Sequence, residues 1–305
     1  MDSRKPSIRQ ALFAGAYLDR RAEERNRADW LSFALTDPET RFVVVQGTAA
    51  LVTGAGVNEL RLALLGSDDP AIRAASNEEN ATLLGWFNEC RCVLLIVDAS
   101  FCPPPQLRFE ELRMLAMAFA AEEAGLFGYA RALAHWRATH RHCGRCGAVL
   151  RAARAGHALI CSGCAHESFP RLDPAIIVLV NGGEFALLGR QSFWPPNRFS
   201  TIAGFVEPGE ALEDAVRREV HEETGVVLDS VHYFNSQPWP FPASLMLGFL
   251  ATAQPQQQPM MRDGELEDAR WFTREDVRCG RVLLPPVESI SRQLINHWLG
   301  TDSQS

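Results

Sequence analysis

The sequence predicts an α+β protein built from an N-terminal α+β domain (residues 1–138), a compact four-cysteine insert (139–170) and a C-terminal domain (171–305). Three observations predict it. Two C-x-x-C pairs sit within residues 143–164. Ahead of them, short β-rich runs lead into an Ala- and Leu-rich helical stretch. Behind them, strand and turn patterns alternate with two helical ones. A length of 305 residues suits two ordinary domains with a small module between them.

The elements follow in order. Ala11–Leu18 faintly resembles a secretory core, but Asp19-Arg20-Arg21 follows with no cleavage site, so it reads as a folded strand or helix. Strands are expected at Arg41–Gln46, Glu59–Leu65 and Val93–Asp98, before Pro103-Pro104-Pro105 breaks the pattern. Phe109 to His140 has helical spacing, with Gly125 and Gly128 as interruptions. After Pro170, Asn181-Gly182-Gly183 between the apolar runs Ala175–Val180 and Glu184–Leu188 predicts a hairpin. A glycine- and proline-rich loop, Gly204 to Gly209, leads to a helix over Leu212–Thr224 with Gly225 as its C-cap. Strands around His232–Ser236 and Ser244–Thr252 precede a polar loop, Gln254–Gly264, whose Gln- and Pro-rich piece Gln254–Pro259 reads as a flexible connector, and a helix near Ser289–Leu299. No internal repeat is visible.

Composition narrows the function classes. A formal net charge of −7 excludes a general nucleic-acid-coating protein. Of the 30 basic residues only Lys5 is a lysine, near the N-terminus, which excludes Schiff-base and P-loop lysine chemistry. Anions must meet Arg, backbone N–H groups or metal ions. Apolar runs such as Val93–Val97 are too short to span a bilayer, so no membrane partner is expected. Cys90, Cys92, Cys102 and Cys279 are scattered; with the two C-x-x-C pairs they favour metal binding in a reducing compartment, read here as the cytoplasm. Cys143-Gly-Arg-Cys146 and Cys161-Ser-Gly-Cys164, with fourteen residues between them, have the spacing of a structural, tetrahedral Zn²⁺ site. From Arg131 to Arg154 there are six arginines and no acid, which makes either a solvated basic face or a contact for a polyanion.

The stretch that carries chemistry is Gly204-Phe-Val-Glu-Pro-Gly-Glu210, then Arg218-Glu219-Val-His-Glu222-Glu223-Thr-Gly225-Val226. On a helix, Glu219, Glu222 and Glu223 lie at i, i+3 and i+4, within an arc of about 100°. Like charges repel at that spacing, and anions oppose the negative end of the helix dipole. A divalent cation reverses both penalties, and hard oxygen donors suit Mg²⁺ or Mn²⁺. Arg218 can clamp neighbouring carboxylates, while Leu212, Val216 and Val220 form the apolar stripe that docks the helix. Three glutamates alone would be an ordinary solvated face.

The whole stretch matches G-x5-E-x7-R-E-U-x-E-E-x-G-U (U apolar) at every fixed position and so resembles the Nudix hydrolases. That resemblance implies an α/β/α sandwich and metal-dependent hydrolysis of a diphosphate linked to another moiety. Ser236-Gln-Pro-Trp-Pro-Phe-Pro-Ala-Ser244 is a stiff loop bearing Trp239 and Phe241, suited to holding a planar ring, although without the upstream motif it would read as a core-packing turn. It resembles the S-Q-P-W-P-F-P-x-S motif of the NADH pyrophosphatases, which also carry an N-terminal domain and a four-cysteine zinc insert in this order. The likeness is close over roughly residues 107–299 and architectural before that.

The resemblance implies roles residue by residue. Glu219, Glu222, Glu223 and Glu265, with the carbonyl of Ala203, would bind the catalytic metal. Phe205, and Phe169 reached from the partner subunit of a homodimer, would stack on nicotinamide; the family position of Phe169 is usually Tyr, so a hydroxyl is missing. Gln237, Pro238, Trp239, Pro240, Phe241, Pro242, Ala243 and Ser244 would line the substrate pocket, Ser291 would contact substrate, and Arg113 is a looser match to a substrate-binding arginine. Glu210 would brace the loop. The implied reaction cleaves the pyrophosphate of NADH or NAD⁺ to nicotinamide mononucleotide and AMP. Removal of an NAD cap from an RNA 5′ end cleaves the same bond. Glu222 and Glu265 are both candidates for the proton acceptor. Two alternatives stay open: a Nudix hydrolase of another nucleoside diphosphate derivative such as ADP-ribose, and a non-catalytic zinc-ribbon regulator that binds RNA or nucleotides.

Overall fold

A computed structural model describes residues 11–14, 17–56, 59–111, 119–262 and 264–300. The chain forms two compact units, residues 1–172 together with Trp239–Ala243, and residues 173–238 together with 244–305.

The first unit contains strands β1 (Leu18–Asp19), β2 (Thr40–Gln46), β3 (Ala49–Thr53), β4 (Arg61–Leu62), β5 (Leu64–Gly66), β6 (Ala81–Phe87), β7 (Cys90–Val97) and β8 (Arg108–Glu111). Its helices are α1 (Trp30–Thr36), α2 (Pro70–Ala75) and α3 (Ala121–Thr139). The sheet runs β1-β6-β7-β2-β3-β4, with β5 on β2 and β8 on β3. The central pair, β2 and β7, is parallel and buried on both faces. Val43, Val45 and Leu94 enter the core under α3, while Phe42, Val44 and Leu95 enter a second core with Trp30 and Ile72.

Gly125 and Gly128 were expected to interrupt the helix here, yet they lie inside α3. Close approach explains Gly128, where a Cβ would stand 3.0 Å from Phe13 Cδ1 and 3.4 Å from Pro240 Cγ; at Gly125 a Cβ would meet only ordinary contacts, the nearest 3.5 Å away. The bare helix face admits Phe13, whose ring meets Trp239 and Phe241 edge-on at 6.4 and 5.9 Å. Buried Arg131 donates from Nη1 to Pro240 O.

Residues 138–169 form a three-stranded sheet of β9 (Leu150–Ala153), β10 (Ala158–Cys161) and β11 (Glu167–Ser168), with β10 in the middle. His157 ties it to β6, because its Nε2 donates to Leu83 O at 2.6 Å. Burial pushes the His157 imidazole down to about 4. A folded-state value below the unfolded one means stability that is complete above about pH 6.5 and lost as pH falls towards 4, by ~3 kcal/mol. Urea denaturation of His157→Gln is expected to show a flatter stability profile between pH 6.5 and 4 than the wild type. An unchanged slope would remove His157 as its source.

The second unit holds β12 (Asp173–Gly182), β13 (Phe185–Arg190), β14 (Ile202–Phe205), β15 (Ser230–Trp239), β16 (Ser244–Thr252) and β17 (Asp268–Thr273). Helices α4 (Leu212–Thr224), α5 (Arg274–Arg278) and α6 (Ile290–Leu299) accompany them. The sheet runs β15-β16-β12-β13-β17, with β14 on β12 and a parallel β12–β16 pair at its centre. Alternate side chains of β12 fill two cores. Ile176, Val178 and Val180 meet Val216 and Val220 of α4, whereas Ile177 and Leu179 meet Leu294 and Trp298 of α6. This is the expected α/β/α sandwich.

The units repeat one topology, which the sequence does not display. In each, a central strand forms a hairpin with its successor, takes a short antiparallel strand on one side, and pairs in parallel with a later strand that itself has an antiparallel partner. Thus β2, β3, β5, β6, β7 and β8 correspond to β12, β13, β14, β15, β16 and β17. The helix after the short strand has six residues and no acid in the first unit, thirteen residues and the three glutamates in the second.

Candidate active site

Helix α4 begins after Ala211 without a side-chain cap, but Glu213 and Asp214 complement its positive end. It ends at Gly225, whose φ of 71° is the left-handed turn glycine adopts without strain, and whose N–H donates to His221 O at 2.8 Å. Ala215, Val216 and Val220 are buried, and this anchoring turns the glutamates towards β14.

Two of the three glutamates are withdrawn from solvent. Glu223 is 3% exposed, the Glu219 side chain 13% and that of Glu222 51%. Gly204 of β14, paired with Ile176, lies against Glu219, and a Cβ there would overlap the carboxylate. Arg218 is the counter-charge. Its Nε and Nη2 hold both oxygens of Glu210 at 2.6 and 2.9 Å, and its Nη1 reaches Glu219 at 2.9 Å and Glu222 at 3.0 Å. Nη2 also donates to Phe205 O at 2.9 Å, fixing the end of β14. Glu210 accepts in addition from Glu207 N, and with Arg218 first among the causes its carboxyl is held down to about 2. Glu210 therefore braces the loop, as expected.

Burial pushes the Glu219 carboxyl above the usual carboxylate range; Arg218 opposes this, and the charges of Glu222 and Glu265 add to it. Glu265 thus belongs to the same electrostatic cluster although it comes 40 or more residues later in the chain. Glu219 is partly desolvated, with Gly204 making room for it next to the half-buried Ala203, while Glu222 and Glu265 are exposed; these are oxygen donors of the kind a hard divalent cation takes. Glu219, Glu222, Glu223, Glu265 and the Ala203 carbonyl would hold it.

The four cysteines converge as predicted: the ligand atoms of Cys143, Cys146, Cys161 and Cys164 all lie within 4.8 Å of one another. The pairs Cys143–Cys164 and Cys146–Cys161 are 3.8 and 3.3 Å apart, near the ~3.8 Å edge of a ZnS₄ tetrahedron with 2.3 Å bonds. Backbone N–H groups, led by that of Cys164, pull the Cys161 thiol down to about 6, so one thiolate is favoured before any metal binds.

The other expected site residues fall in different surroundings. Phe205 and Phe169 are exposed, at 61% and 54%, the latter beneath Arg154 at 5.8 Å. Gln237 is buried; its Oε1 accepts from Ile290 N at 2.8 Å and its Nε2 donates to Glu288 O at 2.9 Å, so it fixes the start of α6. Ser291 is buried too, bonded to Ser200 and Thr201 hydroxyls at 2.9 and 2.8 Å. Trp239, Pro240 and Phe241 pack around Phe13 and α3 in the first unit, which is the core-packing geometry of that loop; Ala243 and Ser244 are buried, and Pro238 and Pro242 flank them. Arg113 lies outside the described residues. Of the six arginines between 131 and 154, Arg131 and Arg137 are spent inside the fold, Arg137 on Ala81 O, Thr82 and Glu79 O, and Arg154 pairs with Glu167 at 3.0 Å.

The arrangement defines the class. The family model of the NUDIX domain matches residues 170–298. The NADH pyrophosphatase-like rudimentary NUDIX domain matches residues 39–136, the unit whose topology repeats the other, and the NADH pyrophosphatase zinc ribbon domain matches residues 138–169. NAD-capped RNA hydrolase NUDT12 of Macaca fascicularis is 34% identical over 94% of this chain and 73% of that protein, and its Homo sapiens counterpart 33% over the same shares. NAD-capped RNA hydrolase NudC of Mycobacterium bovis is 41% identical over 62% of this chain and 64% of its own. The chain belongs to the Nudix hydrolase family.

Proposed function

We propose that this protein hydrolyses the pyrophosphate of NADH or NAD⁺ to nicotinamide mononucleotide (reduced or oxidised) and AMP, and removes NAD caps from RNA 5′ ends. The observation that carries the reading is the clamp of Arg218 on Glu210, Glu219 and Glu222, in a chain whose rudimentary Nudix, zinc-ribbon and Nudix segments follow in order. Relatives named as NAD-capped RNA hydrolases support the substrate class.

Mg²⁺ or Mn²⁺, when bound, would neutralise the phosphates and lower the pKa of the attacking water. Arg218 holds Glu219 and Glu222 in register and Glu210 holds Arg218, so the carboxylates stay placed without substrate. Glu222, the most solvent-accessible of the three on α4, is the group of that helix best placed to take a proton from water. Phe205 follows Gly204 directly and offers an open ring face for nicotinamide. Phe169, with exposed Leu172 nearby in sequence, suits a surface covered by a second copy in a homodimer. No helix among the described residues is long and apolar enough to cross a membrane; the four-thiolate centre and the unpaired cysteines suit the cytoplasm.

A substrate panel tests the assignment. With Mg²⁺ or Mn²⁺, wild-type kcat/KM should favour NADH over ADP-ribose, and Phe205→Ala should erase most of that preference, about tenfold for one lost aromatic stack. A wild type that does not favour NADH would move the reading towards ADP-ribose and its relatives, and an NADH preference unchanged in the variant would remove Phe205 from nicotinamide recognition.

A further inference from the structure

The connector expected to be flexible, Gln254–Pro259, is instead fastened, together with Met260 and Arg262, to the C-terminal end of α4. Gln257 makes the main attachment. Its Oε1 accepts from Val227 N at 2.8 Å and its Nε2 donates to Val227 O at 3.0 Å, so the carboxamide pairs with that residue as a neighbouring strand would. Its backbone is held too: the carbonyl accepts from Trp271 Nε1 at 2.8 Å, and the N–H donates to Gln254 O at 3.1 Å. Three residues on, Met260 N donates to Thr224 O at 2.8 Å, using a carbonyl left over by the last helical turn. Arg262 Nη1 lies 3.2 Å from His221 Nε2, and its guanidinium covers Gly225. On the far side, Leu266 is buried and Glu267 N donates to Arg190 O at 2.9 Å. Glu265, whose side chain is exposed, thus lies between the Arg262 contact with α4 and Leu266, which is buried in the same core as Val216 and Val220 of α4.

We infer that Gln257 is a positioning residue, and that its pairing with Val227 and the Arg262–His221 contact form a latch that presents Glu265 to the carboxylates of α4. The inference rests on the reading of Glu265 as a metal-binding residue. Placing a like charge beside Glu219, Glu222 and Glu223 is unfavourable by itself. A chain tethered only at Leu266 would leave this exposed carboxylate free to move away from α4, whereas the Gln257 pairing with Val227 and the Arg262–His221 contact oppose that motion. The latch spends binding energy in folding so that less ordering is left for the moment of metal capture.

Mn²⁺ binding to the full chain without nucleotide, followed by the loss of the free-ion paramagnetic resonance signal, tests this apart from turnover. Gln257→Ala is expected to weaken Mn²⁺ binding about fivefold to tenfold, through loss of two side-chain hydrogen bonds. Glu265→Gln should weaken it at least as much. The double variant should bind as Glu265→Gln alone, because Gln257 acts through that carboxylate. Arg262→Ser, an exposed change at the other attachment, should repeat the effect if Gln257→Ala folds poorly. Unchanged binding in the Gln257 and Arg262 variants, or losses that add in the double variant, would overturn the latch. No loss in Glu265→Gln would instead overturn the metal role of Glu265, and the latch with it.

Discussion

Glu222→Gln is expected to lower kcat/KM for NADH about 10³-fold, on the order of 4 kcal/mol of transition-state stabilisation. The amide keeps the volume and an oxygen for Arg218, which lies 3.0 Å away in the native protein, so the clamp on Glu210 and Glu219 persists. The lost negative charge is what a divalent cation and an attacking water require. Stability should move little, within about 0.5 kcal/mol, because the Glu222 side chain is half exposed and its charge raises the cost of ionising Glu219. A fall in turnover with an unchanged melting temperature separates chemistry from folding. Wild-type turnover would remove Glu222 from the mechanism.

The second large effect concerns zinc. Stripping the metal with a strong chelator, or replacing Cys143 by Ser, should unfold the insert and destabilise the first unit by more than about 5 kcal/mol, given apparent binding energies of 10–16 kcal/mol for structural zinc in small modules. The strands β9, β10 and β11 have only two to four residues each and cannot form a core of their own. Cys143, Cys161, Leu150 and Leu159 also belong to the core that contains α3 and β2, so releasing them opens that core. Calorimetry should show the transition of the first unit shifted down, with four thiols becoming titratable in the native-state assay after chelation and three in Cys143→Ser. Unchanged melting, with the exposed thiols of Cys146 and Cys164 already reactive before chelation, would mean that the four sulfurs do not share a metal.

What was legible in the sequence follows from how local its causes are. Helix α4 and its Gly225 cap, the Asn181-Gly182-Gly183 hairpin and the cysteine knuckles are fixed by residues within one turn or one loop of each other. Arg218 as a clamp was readable for the same reason. Long-range causes were not readable. Gly128 reads as a helix break because nothing nearby tells of Phe13 and Pro240, which need the bare face there. The Gln- and Pro-rich connector reads as flexible because its anchors, Val227, Thr224 and His221, lie some 30 to 40 residues back. The repeat was hidden because the first unit keeps strand order and burial but not the glutamates, and topology leaves no fixed residue pattern. Gln237 and Ser291 are polar residues near a motif, yet their burial among backbone partners follows only from the placing of α6.

Product analysis tests the central claim most directly. NADH and an RNA bearing a 5′ NAD cap, each incubated with wild type and with Glu222→Gln under matched Mn²⁺ or Mg²⁺, are resolved by chromatography. The account predicts AMP with reduced nicotinamide mononucleotide from NADH, and nicotinamide mononucleotide with 5′-monophosphate RNA from the capped transcript, both lost in the variant. Intact NADH and capped RNA beside hydrolysed ADP-ribose would contradict it.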